Sequence, residues 1–426
     1  MSSGSEPSSG SIDWDGDLLG VIDRLEARFA EVEPEIMAFV DEPGRFDRLR
    51  HQARTLQRLG GEALPLFGVL VGVKDIFHVD GLPTACGSRL PPEELGGPQA
   101  ESVQRLLEAG ALILGKAEST EFAYFGPART RNPHHLNHTP GGSSSGSAAA
   151  VCAGLCPVSL GTQTIGSVTR PAAYCGVVGY KPTYGRVPIS GVFPLAPSYD
   201  HVGVLAESVQ WAYRLAEVLC DNWSQRPNAT DSPVFGVPTG PYLDRASTVA
   251  RDHLEQVCAR LEAAGRRVVH HPAMDDFDAI EARHRRVLAA EVAAVHRSWF
   301  QRYGERYHAK TRELIELGQT IPAEEVAAGR TARTQLRHGL HRAMDDAGID
   351  LWLTPSAPGP APAGLESTGD PVMNLPWSQS GLPTLGLPAG RAPKDAGGLP
   401  LGVQLAARWG MDEALLVWGR QLEPLL

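Results

Sequence analysis

The sequence predicts an α/β protein, one large domain in which helices surround a mixed, largely parallel central sheet. Two observations carry that expectation. A helix, a glycine and a short apolar strand follow one another at 100–114 and again at 246–270, the rhythm of a parallel sheet with crossover helices. Apolar runs at 69–73 and 111–114 have the length and bounds of buried strands. No clear linker or solenoid-type repeat divides the chain.

Taken in order, residues 1–12 are polar and are expected to form a disordered tail, with the domain spanning 13–426. The tail lacks a basic stretch followed by an apolar one, so no signal peptide is expected. Residues 13–32 read as an amphipathic helix, with Leu18, Ile22, Leu25 and Phe29 spaced four, three and four apart. A second helix is expected over 44–58, then a buried strand within 64–77 that ends at Lys74 and Asp75. Residues 100–109 form a helix stopped at Gly110, and 111–114 form a strand. The unit returns as a helix from 246, then Ala264-Gly265, then Val268-Val269. Residues 276–346, rich in Ala, Arg, Glu and His, read as a helical insertion that would shape substrate choice. A strand at 349–354, a Gly/Pro-rich stretch, a strand at 402–405 and a helix over 411–424 complete the chain.

Composition narrows the function. Hydrophobic residues make up 42% and charged residues 21%, as in a soluble globular enzyme. A formal charge of −10 does not suit a nucleic-acid surface. No run reaches the roughly 20 apolar residues of a membrane span. Six cysteines without metal-type spacing read as reduced thiols in a cytoplasmic protein. The loop histidines 134, 135 and 138 fit no zinc pattern, and no metal or organic cofactor is expected. Gly115-Lys116 is followed by Ala117, so there is no phosphate-binding P-loop. Gly142-Ser143-Ser144-Ser145-Gly146 matches Gly-x-Ser-x-Gly, but loop residues rather than a strand precede it.

Chemistry concentrates in three places. Lys74 ends an apolar strand, Val69-Leu70-Val71-Gly72-Val73. Ser143 lies in a glycine turn that opens an alanine-rich helix. Ser167 closes a second polar turn, Gly161-Thr162-Gln163-Thr164-Ile165-Gly166-Ser167, whose backbone N–H groups can converge on an anion. A lysine on a buried strand can be neutral and basic. It can therefore activate a serine without a catalytic histidine. A structural alternative pairs Lys74 with Asp75 or Asp80.

These blocks resemble the amidase signature family. The matching residues are Val73-Lys74-Asp75, then Asn132-Pro133 through Thr139-Pro140-Gly141-Gly142-Ser143-Ser144, then Gly161-Thr162 through Ser167, and Pro171 through Thr183. The two serines are 167 − 143 = 24 residues apart, the family's spacing. The resemblance covers roughly 64–204 and 349–420 and leaves the helical insertion unmatched. Three departures stand out: Gln163 replaces an aspartate, Ile165 replaces a glycine, and Arg170 lies three residues past Ser167 rather than two. That run looks most like the branch containing malonamidase E2. A β-branched residue tolerates positive φ poorly, so Ile165 is expected to reshape its loop.

The resemblance implies the amidase signature fold and a Ser–cis-Ser–Lys triad. Ser167 would be the nucleophile, Ser143 the relay joined to Gly142 by a cis peptide bond, and Lys74 the base. Thr164, Ile165 and Gly166 would form the oxyanion hole, with Arg170, Ser144 and Gly142 at the substrate. It implies an amidase that hydrolyses a small carboxylic amide through an acyl-Ser167 intermediate. Arg170 adds the expectation of a carboxylate-bearing, malonamate-like substrate, against a loop-buttressing role. Two alternatives stay open, an ammonia-transferring amidotransferase A-type subunit in a complex and a non-catalytic scaffold. The expected partner is a small-molecule amide, with neither nucleic acid nor membrane; a homodimer is also left open.

Overall fold

The structure, a computed structural model, describes residues 12, 14, 17–227, 229–230 and 232–426. The expected tail therefore lies outside the described residues, except for Ile12. Among the described residues ten strands form one sheet: β1 (Leu70–Lys74), β2 (Leu112–Ala117), β3 (Val158–Gln163), β4 (Val178–Lys181), β5 (His201–Ala206), β6 (Phe235–Thr239), β7 (Val268–Pro272), β8 (Leu351–Pro355), β9 (Thr384–Arg391) and β10 (Pro400–Ala407). Their spatial order is β2-β1-β3-β5-β4-β9-β10-β8-β6-β7.

Pairing is parallel in the two flanks, β2-β1-β3 and β8-β6-β7. Across the middle, from β3 to β8, every pairing is antiparallel. The expected helix–glycine–strand units occupy the flanks: Glu101–Glu108 leads into β2, and Thr248–Ala263 into β7. Strands β3, β4, β5, β6 and β9 have no counterpart in the sequence expectation, and Gly161, Thr162 and Gln163, expected in a turn, end β3 instead. Each is short or broken by glycine or proline, so the apolar signal is diluted. The glycines answer a packing demand. The helix Thr169–Cys175 lies on the central strands so closely that a Cβ at Gly179 would meet Ala172 Cβ at 2.7 Å.

The first helix, Leu18–Ile36, buries Leu18, Ile22 and Leu25 of the expected stripe and Val21 beside them, while Phe29 is only partly buried. These pack with Leu49 and Ala53 of the helix Arg45–Arg58 and with the alanines of Ser145–Cys152. The 276–346 segment forms four helices, Phe277–Val295, Arg297–Tyr303, Ala309–Gln319 and Ala323–Ala347. They are not a detached lobe, because Val287, Leu288, Val292, Leu314 and Ile315 join the main core. No helix among the described residues is long and apolar enough to cross a membrane.

Candidate active site

Strands β1 and β3 are parallel neighbours, with Val73 opposite Leu160. Their carboxyl ends open on one edge of the sheet, where α/β proteins place ligands. Lys74 is the last residue of β1 and is fully buried. Its Nζ lies 2.7 Å from Ser143 Oγ and 2.8 Å from Thr162 Oγ1. Asp75 does not pair with it; that carboxylate lies 2.9 Å from Lys116 Nζ on β2. Burial pushes the Lys74 amine down to about 7, against the opposing pull of the Asp200 carboxylate. An amine tuned to that range can take and return a proton near neutral pH.

A depressed pKa alone would not single out Lys74. Burial also lowers Lys181 to about 7, but its Nζ donates to the carbonyls of Pro182 and Leu382, which cannot be activated as nucleophiles. Geometry separates the two lysines.

Ser143 follows a cis peptide bond from Gly142. The turn is braced on several sides. Arg170 Nη2 donates to the Gly142 carbonyl at 2.6 Å, and Thr120 N to the Ser143 carbonyl at 3.2 Å. The Ser144 hydroxyl both donates to Thr162 O and accepts from Thr162 N, each at 3.3 Å. These bonds tie the Ser143 turn to β3, so that Lys74, Ser143 and Thr162 hold one geometry.

Ser167 lies between β3 and the helix Thr169–Cys175. The Gln163 side chain, one of the three departures noted in the sequence, fills this turn. Its Oε1 accepts from Val168 N at 2.8 Å and Thr169 N at 3.0 Å, and its Nε2 donates to Ser378 Oγ at 3.1 Å. The amide thus caps the turn without adding a negative charge beside the nucleophile. Ser378 Oγ also donates to Ile165 O at 2.6 Å. Ile165 keeps its φ outside the left-handed region, so the β-branched side chain does not force that conformation. Gly166 must be small, because a Cβ there would meet Asn374 Oδ1 at 2.3 Å.

The structure brings Ser143, Thr164, Ile165, Ser167 and Arg170 to one cavity of about 20 Å³. That is room for about one water-sized group, enough for the tip of a carboxamide. Gly142, Ser144 and Gly166 are not among its lining residues, although Gly166 joins Ile165 to Ser167, which both are. Arg170 is almost fully buried, and its guanidinium also donates to Gly369 O and, at 3.2 Å, to Thr368 Oγ1.

Sequence reasoning assigned no role to Thr162, although the residue lies inside the matched block. It also missed Asp200, whose carboxylate accepts from Thr164 Oγ1 at 2.6 Å and from the Leu195 and Ala196 amides at 2.9 and 3.0 Å. No local pattern marks Asp200, because its partners come from elsewhere in the chain. The loop carrying Phe122 and Ala123 was missed as well. Both residues have positive φ, 49° and 61°, a conformation costly for side chains with a Cβ, and Ala123 lines the cavity.

Ser143 and Ser167 thus share one small cavity, and the buried Lys74 reaches Ser143 from outside its lining. The chain belongs to the amidase family, whose model, described as Amidase, matches residues 21–416. It is accordingly an enzyme of amide C–N bond hydrolysis. Among curated proteins it is 32% identical to the A subunit of the glutamyl-tRNA(Gln) amidotransferase from Roseiflexus sp. (strain RS-1), over 92% of this chain and 90% of that protein. Its counterpart from Symbiobacterium thermophilum is also 32% identical, over 93% and 91%. Among solved structures, one described as a crystal structure of an amidase superposes with a TM-score of 0.87 at 31% identity, covering 96% of both chains. A chain from a vestigial complex bearing on the origins of an s-triazine catabolic enzyme superposes at 0.83 with 29% identity, covering 96% and 95%. These relatives uphold the expected family. The curated ones are A subunits of glutamyl-tRNA(Gln) amidotransferases and give no support to the malonamidase E2 branch suggested by residues 163–171.

Proposed function

We propose that this chain cleaves a primary carboxamide through an acyl-Ser167 intermediate, releasing ammonia and a carboxylic acid. The observation that carries the reading is the buried Lys74 Nζ 2.7 Å from Ser143 Oγ, with Ser167 on the same cavity. Ser167 Oγ attacks the carbonyl carbon as its proton passes through Ser143 to neutral Lys74. The backbone N–H groups of Thr164, Ile165 and Gly166 hold the oxyanion, each such donor being worth about 2.7–4 kcal/mol. The C–N bond then breaks, and the proton returns through Ser143 to the leaving nitrogen. Water cleaves the acyl-serine by the reverse relay, giving the acid and restoring Ser167.

A second reading keeps the first half of this sequence and changes the fate of ammonia, which would pass to a partner protein. The names of the curated relatives favour it over a freestanding amidase. A malonamate-like substrate rests on Arg170 alone, and that side chain already serves Gly142, Thr368 and Gly369. We therefore read Arg170 as the buttress of the cis turn. The test is ammonia release by the purified chain from a panel of amides, with mass spectrometry of the Ser167 peptide after a fluorophosphonate. Labelling at Ser144 or Cys175 with Ser167 unmodified overturns the mechanism. Labelled Ser167 without ammonia release, restored by co-purified partner proteins, establishes the second reading.

A further inference from the structure

The 20 Å³ cavity at Ser167 is not closed. Tyr124, Phe125, Ile165 and Pro371 line it and also line a second cavity of about 280 Å³. The two spaces therefore share four walls, which sets the larger one beside Ser167. Its other walls include Leu288 from the helix Phe277–Val295, Leu314 and Leu317 from Ala309–Gln319, and Val372 and Leu375. The insertion that no motif explains thus supplies the far side of the site.

The charged groups on this lining are Glu281, Arg285 and Asp370. Each has protein partners. Glu281 lies 2.7 Å from Arg285 and 3.3 Å from Arg245, and Asp370 Oδ1 accepts from Val372 N at 2.9 Å. A zwitterionic amide such as glutamine would have to set an ammonium and a carboxylate in a lining that is mainly aliphatic and aromatic, where Glu281 and Arg285 already pair with each other, and a desolvated charge without a partner is costly. An apolar group meets no such penalty. A cavity of about 150 Å³ lined by apolar side chains holds a benzene ring, so 280 Å³ takes a ring with a short tether.

The geometry points to a substrate class: primary carboxamides with an aryl or arylalkyl acyl group, carried in the pocket between Ile165, Leu288, Leu314 and Leu317. Ile165 then has a positive role, since the side chain that replaces glycine in the oxyanion turn forms a shared wall of both cavities. The inference rests on the amide-hydrolase reading of Ser167, and the experiment keeps the two apart. Steady-state ammonia release is measured with 3-phenylpropanamide, acetamide and glutamine. The expected result is a kcat/KM for 3-phenylpropanamide at least about a hundredfold above either competitor. Leu317→Asp, at a half-exposed position, should lower the ratio of 3-phenylpropanamide to acetamide about tenfold, and Leu314→Ala should lower it as well. Glutamine or acetamide turned over as well as 3-phenylpropanamide, or a ratio unmoved by both variants, overturns the inference while leaving the hydrolase reading intact. Titration calorimetry on Ser167→Ala protein needs no turnover. Binding of 3-phenylpropanamide but not glutamine supports the pocket even if hydrolysis fails, and no binding of 3-phenylpropanamide overturns it.

Discussion

Replacing Thr162 with valine tests whether the base is tuned by its neighbours. The swap keeps the shape and removes one hydroxyl. It leaves the Thr162 backbone bonds to Ser144, both 3.3 Å, in place. What is lost is the 2.8 Å contact from Lys74 Nζ. A hydrogen bond from a charged donor contributes about 1.5–3 kcal/mol, and one pKa unit corresponds to about 1.4 kcal/mol. The ammonium form loses that support and the neutral amine loses less, so the Lys74 pKa should fall by about 1–2 units. In the wild type, kcat/KM should rise about tenfold per pH unit up to about 7, where the amine becomes neutral, and then level off. In Thr162→Val that limb should move to lower pH. The plateau should also drop about 10–100-fold, because the amine is no longer held toward Ser143. The assay is a pH profile of kcat/KM from pH 4.5 to 9 on one amide. An unmoved acid limb with full plateau activity would refute the reasoning, as would a limb displaced upward.

Three further outcomes are expected. Lys74→Arg should be inactive, because guanidinium does not deprotonate in proteins; substantial activity in this variant would defeat the base assignment. Lys74→Met should be inactive yet melt higher than wild type at pH 6. A lysine lowered from 10.5 to about 7 costs the fold about 5 kcal/mol below pH 7. Between pH 7 and 10.5 the unfolded state binds more protons, so wild-type stability rises with pH and the gap should close by about pH 10; calorimetric melts in that range check it. Arg170→Leu should lower the melting temperature and reduce turnover of neutral and carboxylate-bearing amides alike, since it unties Gly142 from the 368–369 loop. A loss confined to carboxylate-bearing amides would instead make Arg170 a substrate clamp.

What could be read from the sequence depended on how local the physics was. Leu18, Ile22 and Leu25 announce their helix because a buried stripe needs only its own spacing. Lys74 announces itself because a charge at the end of an apolar run is costly unless used. The antiparallel middle of the sheet was hidden, since β4 and β9 pair across about 200 residues and their glycines answer to a helix above them. Asp200 was hidden for the same reason. Arg170 could be placed near the nucleophile, but only the structure reveals the carbonyls that occupy its guanidinium. The proposed acyl pocket escaped notice because its walls come from five separate stretches of chain.

The brace behind Ser167 also sets a timetable. Asn374 Nδ2 donates to Thr169 Oγ1 at 2.9 Å and to Gln404 Oε1 at 3.0 Å, and its side chain fills the space against Gly166. Lys74, Ser143 and Ser167 have all been synthesised by residue 167, yet their supporting wall arrives 374 − 167 = 207 residues later. At about 5–20 residues per second, a ribosome needs roughly 10–40 seconds to cover that distance. During that interval the nascent chain carries a complete set of reactive groups and no finished turn to hold them. The wall that holds the Ser167 turn is thus among the later parts of the chain to be made, and β9 and then β10, which carries Gln404, come after it still.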